Sequence, residues 1–255
     1  ERKPQFWTIL LSGRDDDNGG TDTNILVAVD VPNGYVYGVS IPRDTKSSIN
    51  GKNRKINFAY NAGGMELLAD TISGQLGIPV DYTVLVNLKG FQALVDTIGG
   101  VDFYIPVDMH YEDPYQNLSI HFSKGMRHLS GEEALKVVRC RSAYASQDIG
   151  RMQTQQDFLK AVAKQLMTPE IALKLPDLCG IFINYVETDL NAGNLAWLGG
   201  EGLNMGMDNI SFATLPGEWH DPYIYLDQEE VLAMVNQYLN PYTEDRTAED
   251  LNILT

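Results

Sequence analysis

Cysteine is nearly missing: the 255 residues hold two, Cys140 and Cys179. That count and the length exclude a disulfide-stapled scaffold, and both are expected to be reduced, small apolar residues. Cations are scarce as well. Nineteen Lys and Arg face 34 Asp and Glu, for a formal net charge of -15. A basic footprint for nucleic acid is therefore lacking, and general attraction to anionic lipid headgroups is disfavoured. There is no signal-peptide pattern and no apolar run long enough to span a bilayer. Familiar catalytic signatures are absent too: there is no Gly-x-Ser-x-Gly elbow and no P-loop lysine. His110, His121, His128 and His220 show no metal-ligand spacing. A covalent serine or cysteine mechanism is disfavoured.

What remains is an ordinary globular composition, 44% hydrophobic and 21% charged, with chain enough for a well-buried core. Residues 6–12 read as a buried strand, 13–20 as an acidic loop, and 24–30 with 35–41 as strands joined by a hairpin at Asn33-Gly34. A polar loop is expected over 51–55. A helix follows from Asn61 to about Gly77, with Leu68, Ile72 and Leu76 at fourfold spacing. Strand 81–86, helix 89–98 (Phe91, Leu94, Val95, Ile98 on one face) and strand 101–107 form a crossover unit, favouring a layered α/β sheet. Residues 109–122 read as a long loop. Ser130-Gly131-Glu132-Glu133 is a capping box for a helix to about Val138. A short helix from 168 to Pro176, a helix over 191–205, a strand over 210–215 and a helix over 229–239 complete one expected domain, 6–240.

The chemistry concentrates in a few places. Reading residues 137–141 as extended puts Arg139 and Arg141 on one face and Val138 and Cys140 on the other. A helix starting at Arg151 places Arg151 and Gln155 one turn apart. Three forked guanidiniums and an amide suit phosphate or carboxylate oxygens; the plainer alternative is ion pairing with Glu132, Glu133 or Asp148. Asp15, after the first strand, and Asp22, at the start of the second, suit Mg²⁺, which takes one or two carboxylates beside water and substrate phosphate. A calcium loop counted from Asp15 would need Glu where Leu26 stands, and an aspartyl-nucleophile motif would need Thr where Gly19 stands. Arg43 leaves a strand at a Pro42 turn beside Asp44, and Lys55-Ile56-Asn57 adds a cation and an amide.

In this order the pieces resemble the LytR-CpsA-Psr family, cell-wall enzymes that attach anionic glycopolymers to peptidoglycan. The resemblance is carried by Gly-x-Asp (Gly13, Asp15), Asp22-Thr23, Ser-Ile-Pro-Arg-Asp (Ser40 to Asp44), Lys-Ile-Asn (Lys55 to Asn57) and Gly-Gly-Val-Asp (Gly99 to Asp102). It continues through Gly-x-x-x-Leu-x-Gly-x-x-Ala-Leu (Gly125 to Leu135), Arg-x-Arg (Arg139, Arg141) and Asp-x-Gly-Arg-x-x-x-Gln (Asp148 to Gln155). Two departures are noted. Thr21 stands where the family often has Arg or Ser, and the acidic loop leaves Asp15, Asp16 or Asp17 open as the first ligand.

The resemblance implies a single-domain, three-layer α/β sandwich, with a mixed sheet between helices and a deep apolar channel for a polyprenyl chain. The Leu68 and Phe91 stripes are more often plain core than such a channel. It implies a Mg²⁺-assisted phosphotransferase passing teichoic-acid-like or capsular glycopolymer from a polyprenyl-pyrophosphate carrier to a muramic acid C6 hydroxyl of peptidoglycan. Asp15 and Asp22 would hold the metal, Arg43, Arg139, Arg141 and Arg151 would clamp the diphosphate, and Gln155, Lys55 and Asn57 would assist. Asp44 or Asp22 would be the base. Hydrolysis of the pyrophosphate, or lipid-carrier binding without catalysis, are the alternatives. The start at Glu1-Arg2-Lys3-Pro4 suggests a trimmed chain, so attachment to the outer face of a bacterial membrane through an N-terminal anchor is expected.

Overall fold

A computed structural model describes residues 1–14, 19–115, 117–146 and 148–254. In chain order its elements are β1 (Phe6–Arg14), β2 (Thr21–Asp30), β3 (Tyr35–Ser40), β4 (Lys46–Ile49), β5 (Lys52–Lys55), α1 (Phe58–Leu76), β6 (Tyr82–Asn87) and α2 (Leu88–Thr97). There follow β7 (Val101–Ile105), β8 (Met109–Asp113), β9 (Leu118–Phe122), β10 (Gly125–Leu129), α3 (Gly131–Arg139), α4 (Asp148–Leu166), α5 (Pro169–Ala172) and α6 (Leu175–Phe182). The chain ends through β11 (Glu187–Thr188), α7 (Ala192–Met205), β12 (Ile210–Thr214), β13 (Gly217–His220), β14 (Tyr223–Leu226) and α8 (Gln228–Met234), with a π-turn over Val235–Leu239. Two compact units result, one of Glu1–Asn87, Val186–Asn191 and Asn204–Thr255, the other of Leu88–Tyr185 and Ala192–Leu203. Among the described residues no helix is long and apolar enough to cross a membrane.

The first unit is built on a mixed six-stranded sheet in the order β11-β6-β1-β2-β3-β12. β1, β2 and β3 form an antiparallel meander, and β6 and β12 add parallel to β1 and β3. Period-two burial explains the strands: Phe6 and Leu10 of β1, Leu26 and Ala28 of β2 and Val39 of β3 enter one core with Leu68, Ile72 and Leu76 of α1. The β2–β3 hairpin turns at Gly34, with φ 68°, where Asp30 accepts hydrogen bonds from the Asn33 backbone and side chain at 3.1 and 2.8 Å. Helix α1 starts ahead of Asn61, is interrupted at Gly63-Gly64, and stops at Gly77 in the left-handed region.

The second unit's core gathers Val95 and Ile98 of α2, Val101, Phe103 and Ile105 of β7, Ala134, Val137 and Val138 of α3, and Phe158 of α4. Phe158 lies between Phe91 and Phe103, each ring centroid 5.6 Å away. Leu68, Ile72 and Leu76 are thus core of the first unit, and Val95 and Ile98, with Phe91 partly buried against them, core of the second. Cys140 and Cys179 are buried free thiols, and burial pushes the Cys179 thiol up.

Several elements differ from expectation. The 137–141 strand is not formed: α3 continues to Arg139 because Ala134, Val137 and Val138 make one buried helical stripe. The crossover unit fails as well, since β7 pairs antiparallel with β10 and takes no place in the six-stranded sheet. The 51–55 loop is one arm of the β4–β5 hairpin. The 109–122 loop is the β8–β9 hairpin, whose Met109, Ile120 and Phe122 are buried while His110, Ser119 and His121 face outward. Pro176 opens α6 and does not end a helix, as its missing N–H permits in a first turn.

Candidate active site

In the first unit, strand β2 carries Asp22 and the Pro42 turn after β3 carries Arg43 and Asp44. The turn is stiff: Thr45 donates its backbone N–H and its hydroxyl to the Pro42 carbonyl, at 3.1 and 2.7 Å. Arg43 Nη1 donates to Asp22 Oδ1 at 2.6 Å, and its Nε lies 3.6 Å from Asp44 Oδ1. Lys55 Nζ sits 3.0 Å from the same Asp44 oxygen, an ion pair by distance that lacks hydrogen-bond geometry. Asp22, Arg43, Asp44 and Lys55 therefore form one alternating row of charges, each partly exposed. Asn57 precedes α1 and donates its backbone N–H to the Arg43 carbonyl at 3.2 Å. That bond ties the Lys-Ile-Asn segment to the Pro42 turn.

In the second unit, Arg139 closes α3, Cys140 turns into the core, and Arg141 follows. Asp148 opens the 19-residue helix α4. Its Oδ1 lies 2.8 Å from Arg151 Nη2 and 3.5 Å from Arg141 Nε, so one carboxylate orients two guanidiniums. Arg151 is 4% exposed, Arg141 37%. Both stand at the positive end of a long helix dipole, where anions are favoured. Gln155 donates Nε2 to the Val138 carbonyl at 3.2 Å, pinning α4 to α3.

Of the alternatives weighed for the arginines, Asp148 takes up ion pairing with two of them, while Glu133 pairs with Arg127 and Glu132 with Lys136. Asp15, like Asp16 and Asp17, lies outside the described residues. Among the described residues no group of three or more acids, histidines or cysteines is placed to hold a metal. Asp22 remains a suitable carboxylate, since Mg²⁺ needs only one or two from protein when phosphate oxygens complete its shell.

Two neighbours of these clusters were not anticipated. Arg14, at the end of β1, donates Nη1 to the Tyr60 hydroxyl at 3.2 Å; it fills the open position of Gly-x-Asp, which carries no chemical cue. Tyr144 shares a hydrogen bond with Thr154 on α4, and burial pushes its phenol up. A Cβ on Gly150 would meet the Tyr144 ring at 2.4 Å, so the glycine before Arg151 was the legible signal of that close approach.

A relative named polyisoprenyl-teichoic acid–peptidoglycan teichoic acid transferase TagU, from Bacillus cereus, is 33% identical over 218 residues, 84% of this chain and 69% of the relative. The protein of that name from Bacillus subtilis is 34% identical over 198 residues, 76% of this chain and 63% of its own length. The crystal structure of B. subtilis TagV superposes with a TM-score of 0.82 at 28% identity, covering 95% of this chain and 100% of that one. The LytR_cpsA_psr family matches residues 2–244, and the chain belongs to that family.

Proposed function

We propose that this chain is a phosphotransferase that moves an anionic glycopolymer from a polyprenyl-pyrophosphate carrier to peptidoglycan, at the outer face of a bacterial membrane. The observation that carries the reading is the Asp148-held pair Arg141 and Arg151 at the start of α4, a preformed anion grip in a strongly acidic molecule. The names of the TagU relatives support the same chemistry.

In this reading a sugar hydroxyl of peptidoglycan attacks the phosphorus that bears the glycopolymer. A new P–O bond forms, the P–O bond to the carrier breaks, and polyprenyl phosphate leaves with the electron pair. Phosphoryl transfer asks little covalent help of protein and depends on positioning and charge neutralisation. In the second unit Arg139, Arg141 and Arg151 bind the diphosphate oxygens; in the first, Arg43 and Lys55 are the cations that suit such oxygens. The hydroxyl proton passes to a carboxylate, Asp44 or Asp22. Asp22, with a member of the 15–17 acidic run, would hold Mg²⁺, which when bound supplies positive charge against the diphosphate.

Purified protein, a synthetic lipid-pyrophosphate donor and peptidoglycan test the reading. Arg139→Ala is expected to lower turnover about 10²-fold, the cost of losing one preorganised donor. Near-normal turnover by that variant would overturn the assignment. Release of polyprenyl phosphate at the same rate with and without peptidoglycan would identify a hydrolase instead.

A further inference from the structure

The β4–β5 hairpin breaks a rule of strand pairing. Its register sets Lys46 directly opposite Lys55, and like charges so placed destabilise a ladder. Between positions 46 and 55 the chain carries Lys46, Lys52, Arg54 and Lys55 and no acid, in a molecule of net charge -15. Ser47 and Ile49 bury the inner face, so the hairpin is seated on the core by one side.

Three of these cations stand over aromatic rings from other elements. Lys46 Nζ is 4.5 Å from the Tyr225 centroid on β14, the Arg54 guanidinium carbon 5.5 Å from Phe58 on α1, and Lys55 Nζ 5.7 Å from Trp219 on β13. Trp219 is 53% exposed and Phe58 43%. The β13–β14 hairpin is fastened to this place: Ile224 donates its N–H to the Asp44 carbonyl at 2.9 Å, and the Tyr223 hydroxyl donates to the Asn53 carbonyl at 3.2 Å. Glu218, 3.4 Å from His220, and Asp221 border the patch on the β13 side. A merely solvated basic face would account for the charges. It would not account for opposed lysines each set over a ring, or for an indole left half in water beside the Asp44–Lys55 pair.

We propose that the β4–β5 and β13–β14 hairpins together form a binding face for the polyanionic chain of the glycopolymer, beyond its diphosphate linkage. Lys46, on the face turned away from buried Ser47 and Ile49, meets its phosphate groups, and Trp219 and Tyr225, beside it on that face, carry the apolar faces of its sugar or polyol units. Cations alone would suit bare phosphate and rings alone a neutral sugar; an anionic saccharide uses both. The inference rests on the transferase reading above.

The test is direct binding of lipid-free, glycosylated poly(glycerol phosphate) to the whole chain, with neutral dextran and single-stranded DNA as comparisons. Wild type is expected to bind the polymer, with affinity falling as salt rises, and to leave dextran unbound. Lys46→Gln, and separately Trp219→Ala, are each expected to weaken binding about 10-fold or more, with melting temperatures unchanged. Transfer from a donor bearing a single sugar is expected to survive both variants. Variants that bind the polymer as wild type does, or DNA bound as well as polymer, would overturn the proposal. Wild type that transfers a short donor yet ignores the polymer overturns this face alone. Polymer binding without any transfer overturns the enzymatic reading alone.

Discussion

Asp148 does more for the arginine cluster than any arginine does for itself. Arg151 is almost wholly buried, and a guanidinium out of water needs a carboxylate partner; Asp148 supplies it at 2.8 Å and reaches Arg141 as well. Asp148→Ala is expected to cost about 1–3 kcal/mol, discounted from a fully buried pair because the carboxylate is partly exposed. A lower urea midpoint at unchanged slope would show it; an unchanged midpoint would mean that Arg151 is held by other groups. His128 makes the second case at this scale. Its ring nitrogens face Asp102 Oδ1 at 2.7 Å and the Gly99 carbonyl at 2.9 Å, both acceptors, so the bonded ring is the imidazolium. The Asp102 bond foremost, helped by the Gly99 carbonyl, raises its pKa above the ordinary 6.5. A raised value places the stabilisation at low pH: it is complete below the ordinary value and fades as pH climbs through the folded one. The melting-temperature gap between wild type and His128→Gln should therefore narrow from pH 5 to pH 9. A gap that widens with pH would refute the imidazolium.

At the scale of elements, α3 shows packing overruling local preference. Val137-Val138 are β-branched and suggest a strand, yet the stripe they make with Ala134 is buried only if the helix continues through them. Its start is set by the capping box, Ser130 accepting from the Glu133 N–H at 3.3 Å and Glu133 from the Ser130 N–H at 3.1 Å. Just inside that cap sits Gly131, where a Cβ would lie 2.2 Å from the Gln92 carbonyl oxygen on α2. Alanine gains about 1 kcal/mol of helix propensity over glycine. Here Gly131→Ala is expected to lose about 1–3 kcal/mol net, since backbone must move to admit the methyl. Chemical denaturation decides it, and a stabilised variant would show that α2 and α3 part readily. The β8–β9 hairpin teaches the converse. Its period-two pattern was present in the sequence, but His, Glu and Ser at the outward positions disguised it as loop.

At the scale of the whole molecule, a net charge of -15 disfavours the compact state by self-repulsion. Exposed ion pairs such as Lys136–Glu132 and Arg127–Glu133 contribute little each. Melting temperature should accordingly rise as NaCl goes from about 0.01 to 0.1 M, where the screening length drops from about 30 to 10 Å; a fall would mean that attractive pairs dominate. Some features of this protein were determined by the sequence alone. The strands β1 to β3, the Asn33-Gly34 turn, the Leu68/Ile72/Leu76 stripe and the α3 cap follow from chain stereochemistry and from sorting neighbours between water and core. The order of charged motifs was equally legible, and the family match agrees with it. Only the tertiary structure decided that β7 pairs with β10 and not with the main sheet, that Arg139 ends a helix, and that Gln155 serves the Val138 carbonyl while Asp148 gathers Arg141 and Arg151. The β7–β10 pairing and the Gln155 bond depend on partners well removed along the chain, about which local preference carries no information; Asp148 is close in sequence to both arginines, and only the turn between α3 and α4 decides that it reaches them.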